Sequence, residues 1–150
     1  MAERENVALM RRWFEEVWNQ GSLAAVKELL APDAVGMGQG EPDALIHGPA
    51  DFIPFMQRIR GAFPDLKVNV EDIFGSGDKV AVRWSADMTH RGDHLGVPAS
   101  GERVHITGIT IVRIENGRIV QGWDNWDQLS MMQIIGALNS PGVVLVKGAA

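Results

Sequence analysis

Apolar and polar positions alternate along this chain with two different periods, and the change falls at Pro64. Ahead of it, Val7, Met10, Phe14, Val17 and Trp18 recur at helical spacing, with Arg11, Arg12, Glu15 and Glu16 between them. That helix is expected to stop at Gly21, and Ser22 then caps a second one, LAAVKELL, which ends before Pro32. A third is predicted from Pro49 to about Phe63, with Phe52, Phe55, Met56, Ile59 and Phe63 on one face. Its two prolines, Pro49 and Pro54, fall in the first turns, where proline does least damage.

After Pro64 the period becomes 2. LKVNVEDIF, KVAVRWSADMTH, RVHITGITIVRI and GRIVQGWDNW all read as strands. Asn116-Gly117, between the last two, is a strong hairpin signal, because both central residues of a type I′ turn need positive φ. RGDHLGVPASGE, Arg91 to Glu102, reads as an extended loop, with its Asp93 and His94 as ordinary surface residues and a lid as the alternative. QLSMMQIIGAL gives a short amphipathic helix with Asp127 as its N-cap. Helices followed by long antiparallel strands make an α+β fold. The expected form is a single domain: a cone-shaped, strongly curved antiparallel sheet with the N-terminal helices packed on its concave side. Its core spans about residues 7–138, and residues 139–150 form a C-terminal tail in which Val143 to Val146 pack or pair.

Strand parity then sorts the side chains. In KVAVRWSADMTH the set Val80, Val82, Trp84, Ala86, Met88 and His90 faces the core, which puts His90 at the mouth end of an apolar face. In the next strand Ile106, Gly108, Thr110, Val112 and Ile114 form one candidate inner set. His105, Thr107, Ile109 and Ile111 lie on the outer face. That outer set is half apolar, so a second subunit is expected to cover the convex face, as a homodimer. In GRIVQGWDNW neither set is purely apolar.

Composition narrows the function. The net charge of −5 comes from 19 acidic and 14 basic residues with no lysine/arginine cluster, which argues against a nucleic-acid or anionic-membrane surface. Cysteine is absent, which excludes disulfides, thiol catalysis and thiolate metal sites. Four histidines without ligand spacing argue against a zinc site. No apolar run approaches the ~20 residues that span a bilayer, and the charged, amphipathic start is unlike a secretion signal, so a cytoplasmic protein is expected.

The candidate chemistry sits at the end of the last strand, where Asp124 stands between Trp123 and Trp126. A carboxyl group at the end of an apolar cavity loses hydration, which raises its pKa and suits it to general acid/base work. Inward tryptophans at 84 and 126 would supply an apolar wall, two N–H donors and a stacking surface for a planar substrate. Met37, Phe63, Met88, His90 and Thr110 complete the candidate substrate-binding set. The opposing reading is an acid hydrogen-bonded to its neighbours that does nothing further.

RRWFEEVWNQGSLAAVKELLAPDAV, GPADFIPFMQRIRGAFPDLKVNVEDI, the run from Gly77 to Leu129 and the closing Gln133-Ile-Ile-Gly136 together resemble the SnoaL-like polyketide cyclase (ester cyclase) family, within the nuclear-transport-factor-like superfamily. The resemblance covers about residues 7–138. It implies a cone-shaped, cystatin-like roll that dimerises, with a hydrophobic cavity and no cofactor. It also implies an aspartate on the last long strand, matched by Asp124, as general acid/base in an intramolecular aldol ring closure. The cyclases carry a histidine where this chain has Thr110, and often another where it has Gly36-Met37-Gly38. The implied function is proton-transfer chemistry, cyclisation or isomerisation, on an apolar carbonyl or polyketide-ester substrate. Two alternatives stand beside it. One is a non-catalytic ligand-binding or dimerisation module. The other is an epoxide-hydrolase-like enzyme using Arg83, Asp87 and Asp124, although Arg83 has outer-face parity.

Overall fold

A computed structural model describes residues 2–40 and 43–138 of the chain. The expected packing of Val143 to Val146 lies outside the described residues. Helix α1 (Ala2–Arg12) continues without a break into a π-helical segment, Trp13–Asn19. The wider turn brings Trp13, Phe14 and Val17 into the core together and leaves Trp18 partly covered. Its carbonyl end is closed from a distance: Arg60 Nη1 donates to Trp18 O at 2.5 Å and to Asn19 O at 3.1 Å. Ser22 caps α2 (Leu23–Leu29) by accepting from Ala25 N–H at 3.1 Å. Helix α3 (Gly48–Ala62) buries Phe52, Met56 and Ile59, the face read from their spacing.

Six strands form one curved sheet: β1 (Leu30–Met37), β2 (Leu45–His47), β3 (Lys67–Ser76), β4 (Lys79–Thr89), β5 (Arg103–Glu115) and β6 (Arg118–Trp126), in the order β2-β1-β6-β5-β4-β3. The four long strands fall where the alternation predicts them. Asn116 and Gly117 join β5 to β6 with φ of 51° and 73°, as a type I′ turn requires. Strands β1 and β2 are additions to the expected sheet, and β1 pairs parallel to β6, so the sheet is not antiparallel throughout. Helix α4 (Gln128–Ile134) follows β6, with Asp127 accepting from Ser130 N–H at 3.1 Å as its cap.

The inner sets of β4 and β5 are buried as their parity demands. Val80, Val82, Ala86, Met88, Val104, Ile106, Val112 and Ile114 pack beneath Met10, Phe14, Val17, Val26 and Leu29. Burying one such side chain fully is worth roughly 1.5–3 kcal/mol, and this layer holds helices to sheet. The mixed character of β6 has a local cause. Register shifts between Arg113 and Ile114, where Ile114 pairs with Ile119 and Arg113 with Gln121. Val120 is the extra residue of this bulge, so Ile119 faces inward on one side of it and Gly122, Asp124 and Trp126 on the other.

Candidate active site

Between the π-helical segment, α3 and the inner face of the sheet lies a cavity of about 110 Å³. Its wall is almost entirely apolar, with Trp13, Phe14, Trp18, Phe52, Trp84 and Trp126 among the bulkiest contributors. Among the described residues, the lining side chains that carry a carboxyl, hydroxyl or amide are Asp124, Thr110 and Gln39. None of the lining residues is lysine, arginine or histidine. Among the described residues, Asp124 is therefore an acid without a cationic partner.

Three strands and a loop hold it. Thr110 on β5 stands opposite Asp124 on β6, and its hydroxyl donates to Asp124 Oδ1. The same Thr110 oxygen accepts from Trp84 Nε1–H of β4 at 3.0 Å. Trp84 reaches it only because its cross-strand partner is Gly108. A Cβ there would lie 2.3 Å from the indole ring. On the other side Gln39 Nε2 donates to Asp124 Oδ2 at 2.5 Å, while Gln39 Oε1 is buried with no partner among the described residues.

Gln39 is placed by Gly38. With φ of +86°, Gly38 turns the chain out of β1 so closely over β6 that an added Cβ would lie 1.9 Å from the Asp124 carbonyl oxygen. Trp126 Nε1–H fastens this turn by donating to Gly38 O at 2.8 Å. Asp124 is half-buried and lines the cavity. Burial pushes its pKa above the usual carboxylate range, and the donors on Thr110 and Gln39 oppose that rise only in part.

Of the residues expected at the site, Asp124, Trp84, Met88, Thr110 and Trp126 come together around this cavity. Three do not. Met37 pairs with Trp123 and Leu45, which puts it on the outer face of the sheet with more than a third of its surface exposed. Phe63 ends α3 and is fully buried against the His90 ring, at 5.6 Å between centroids, in closed core. His90 is not at a mouth, because the following loop seals it in. Its Nδ1 accepts from Ser100 N–H at 3.1 Å and bonds Ser100 Oγ at 2.9 Å. Arg91 N–H and Gly92 N–H both donate to Ala62 O, tying that loop to the end of α3. The indole N–H groups expected to serve a substrate are also committed, one to Thr110 and one to Gly38.

Sequence reading missed Gln39. The surrounding Gly36-Met37-Gly38-Gln39-Gly40 reads as a loop, and the glycines were the one available sign of close backbone approach. Arg83 is exposed on the outer face, and Asp87 bonds His105 there at 2.7 Å, so neither reaches Asp124. The epoxide-hydrolase-like arrangement is therefore not assembled. Among the described residues, no cluster of histidine and carboxylate side chains could hold a metal ion, and no helix is long and apolar enough to cross a membrane.

Residues 8–135 match the family model of SnoaL-like polyketide cyclases. The chain belongs to the SnoaL-like polyketide cyclase family. Solved structures of similar proteins share its fold. A candidate SnoaL-like polyketide cyclase from Jannaschia sp. CCS1 is 27% identical, with a TM-score of 0.82 over 92% of this chain and 96% of that one. IdmH, a candidate polyketide cyclase from Streptomyces antibioticus, is 30% identical, with a TM-score of 0.74 over 87% of this chain and 98% of that one. An epoxide hydrolase of the limonene-epoxide-hydrolase-like type from M. tuberculosis has a TM-score of 0.69 over 91% and 93% of the two chains; at 17% identity the likeness is one of fold. No curated protein matches the chain in sequence. As a SnoaL-like cyclase relative, the chain departs from the resembled pattern at Thr110, which donates to Asp124 here, and at Gly36 to Gly38, where the turn at Gly38 brings in Gln39 as the second donor.

Proposed function

We propose that this SnoaL-like protein moves a proton at carbon, with Asp124 as general acid/base, on an apolar carbonyl compound. The carrying observation is the setting of Asp124: an acid with a raised pKa that lines an apolar cavity, with no cation beside it among the described residues. As carboxylate it takes a proton from a carbon next to a carbonyl. As acid it returns one after the enolate has closed a ring or shifted its double bond. A cavity of 150 Å³ accommodates benzene. At about 110 Å³ this one takes roughly one ring of the substrate, and the remainder of a larger polyketide ester stays at the mouth. Asp124→Asn keeps the shape and removes the base. Turnover of a benzisoxazole, which needs one well-placed carboxylate, should fall by about 10²–10⁴-fold while ligand binding persists. Unchanged turnover would leave the proposed chemistry without an agent.

A ligand-binding module without catalysis is the second reading. It is favoured by the fact that both oxygens of Asp124 already accept hydrogen bonds within the protein. Indifference to Asp124→Asn would select it.

The same reading includes a homodimer through the convex face. Phe74, Ala81, Ile111, Trp123, Met37 and Leu45 are successive cross-strand partners and form an apolar row across all six strands. Phe74, at 60% exposed, is its least covered member. A second copy related by a two-fold axis offers the same row in return. Ile111→Lys should convert a dimer to monomer in sedimentation; a wild-type monomer would refute the dimer.

A further inference from the structure

On the proposal that Asp124 is the base, we infer that the Thr110 hydroxyl is the donor that stabilises the substrate's oxyanion, released for that task when Asp124 takes up the proton. A hydroxyl oxygen offers three directions besides its carbon: one hydrogen and two lone pairs. In Thr110, one direction is fixed by Trp84 Nε1–H, which can only donate, so a lone pair must face it. A second direction is fixed by Asp124 Oδ1, and while Asp124 is ionised the hydrogen points there. The third direction has no partner among the described residues, and Thr110 lines the cavity.

Protonation of Asp124 changes that allocation. The C–H bond of the substrate breaks, its proton forms an O–H bond on the carboxyl group, and the electron pair moves onto the carbonyl oxygen. The negative charge has then left Asp124 and sits on the substrate. A protonated carboxyl oxygen is a poor acceptor and the new enolate oxygen a strong one, because charge roughly doubles the strength of a hydrogen bond. The Thr110 hydrogen rotates to the third direction, while Trp84 keeps the oxygen in place. No proton leaves Thr110. The donor is thus withheld from the ground state and offered where charge develops, the condition for stabilising a transition state over a bound substrate. Thr110 carries the hydroxyl among the described lining residues, and both Trp84 and Trp126 have spent their N–H groups inside the protein.

The test uses a series of substituted 1,2-benzisoxazoles whose phenolate products span a range of basicity, turned over by the full chain. Thr110→Val removes the hydroxyl and nearly keeps the shape. Thr110→Ser restores the hydroxyl, and Thr110→Ala is a second deletion should valine prevent folding. On the alkaline plateau, where Asp124 is fully ionised, the deletions should slow turnover by about 10²–10³-fold. Their dependence on phenolate basicity should steepen, and serine should recover both. If Thr110 only tunes the carboxyl group, losing its donor makes Asp124 a stronger base, and plateau turnover rises or stays level with an unchanged dependence. That outcome overturns the inference and leaves the base intact. If the wild type is no faster than Asp124→Asn, the base itself falls and takes this inference with it.

Discussion

Asp124 and His90 are both ionisable side chains close to a strand's end, and sequence alone places both at the cavity. The fold treats them differently. Asp124 lines a cavity and accepts from two neutral donors. His90 is completely buried, packs on Phe63 and accepts from Ser100, so it serves as an anchor for the loop above it. Burial therefore does not distinguish a site from a structural contact. The distinction is whether an ionisable group, once desolvated, still faces space that another molecule can enter.

The contrast can be strained most severely at Gly38, where positive φ and the close carbonyl of Asp124 leave no room for a side chain. Gly38→Ala should cost about 2–4 kcal/mol in denaturant unfolding and displace Gln39 from Asp124. A stability within about 0.5 kcal/mol of wild type would show that this turn is softer than its geometry implies. His90→Ala should cost about 2 kcal/mol, from the cavity it leaves and the acceptor Ser100 loses. Benzisoxazole turnover per folded molecule should stay within about threefold of wild type, since His90 is far from needed there; a hundredfold loss would place His90 in the chemistry and dissolve the contrast.

Two smaller effects sharpen the Asp124 side. Gln39→Leu removes a donor that favours the carboxylate. The rising limb of the pH–rate profile, which follows ionisation of Asp124, should therefore move to higher pH, whereas a limb that moves down would mean that Gln39 stabilises the acid form instead. The last effect concerns stability itself. Because burial raises the folded pKa of Asp124, its neutral form is the one the fold favours. The stability this contributes is complete below the ordinary carboxylate value of about 4 and is lost as pH rises through the raised folded value. Asp124→Asn should accordingly gain Tm over wild type above that window, on the order of 2–4 °C, and lose the advantage in acid. A gain that instead grew toward low pH would reverse the sign of the proposed shift.

Much of the frame was legible from local rules. Ser22 and Asp127 cap the helices that follow them because each cap needs only its own next three residues. Asn116-Gly117 makes its turn for the same reason, and the inner faces of β4 and β5 follow from alternation alone. Strand β1 was not legible, since its partner β6 lies some ninety positions away and Gly36 to Gly40 carry no alternation to read. The bulge at Val120 was hidden too: it resets parity inside a strand, and only pairing with β5 reveals it. The π-helical widening of the first helix left its spacing close enough to an α-helix to pass for one.

By itself the sequence determined the element types, the faces of the two central strands and the identity of the candidate acid, because these depend on neighbours within a few residues. The tertiary structure alone decided that Gln39 and Thr110 grip Asp124 from opposite sides, that Trp84 can lie across Gly108, and that Met37 and His90 are not beside them. Those outcomes depend on register and on parallel pairing between distant segments, and a hydrogen bond across the sheet has no signature in the residues on either side of it along the chain.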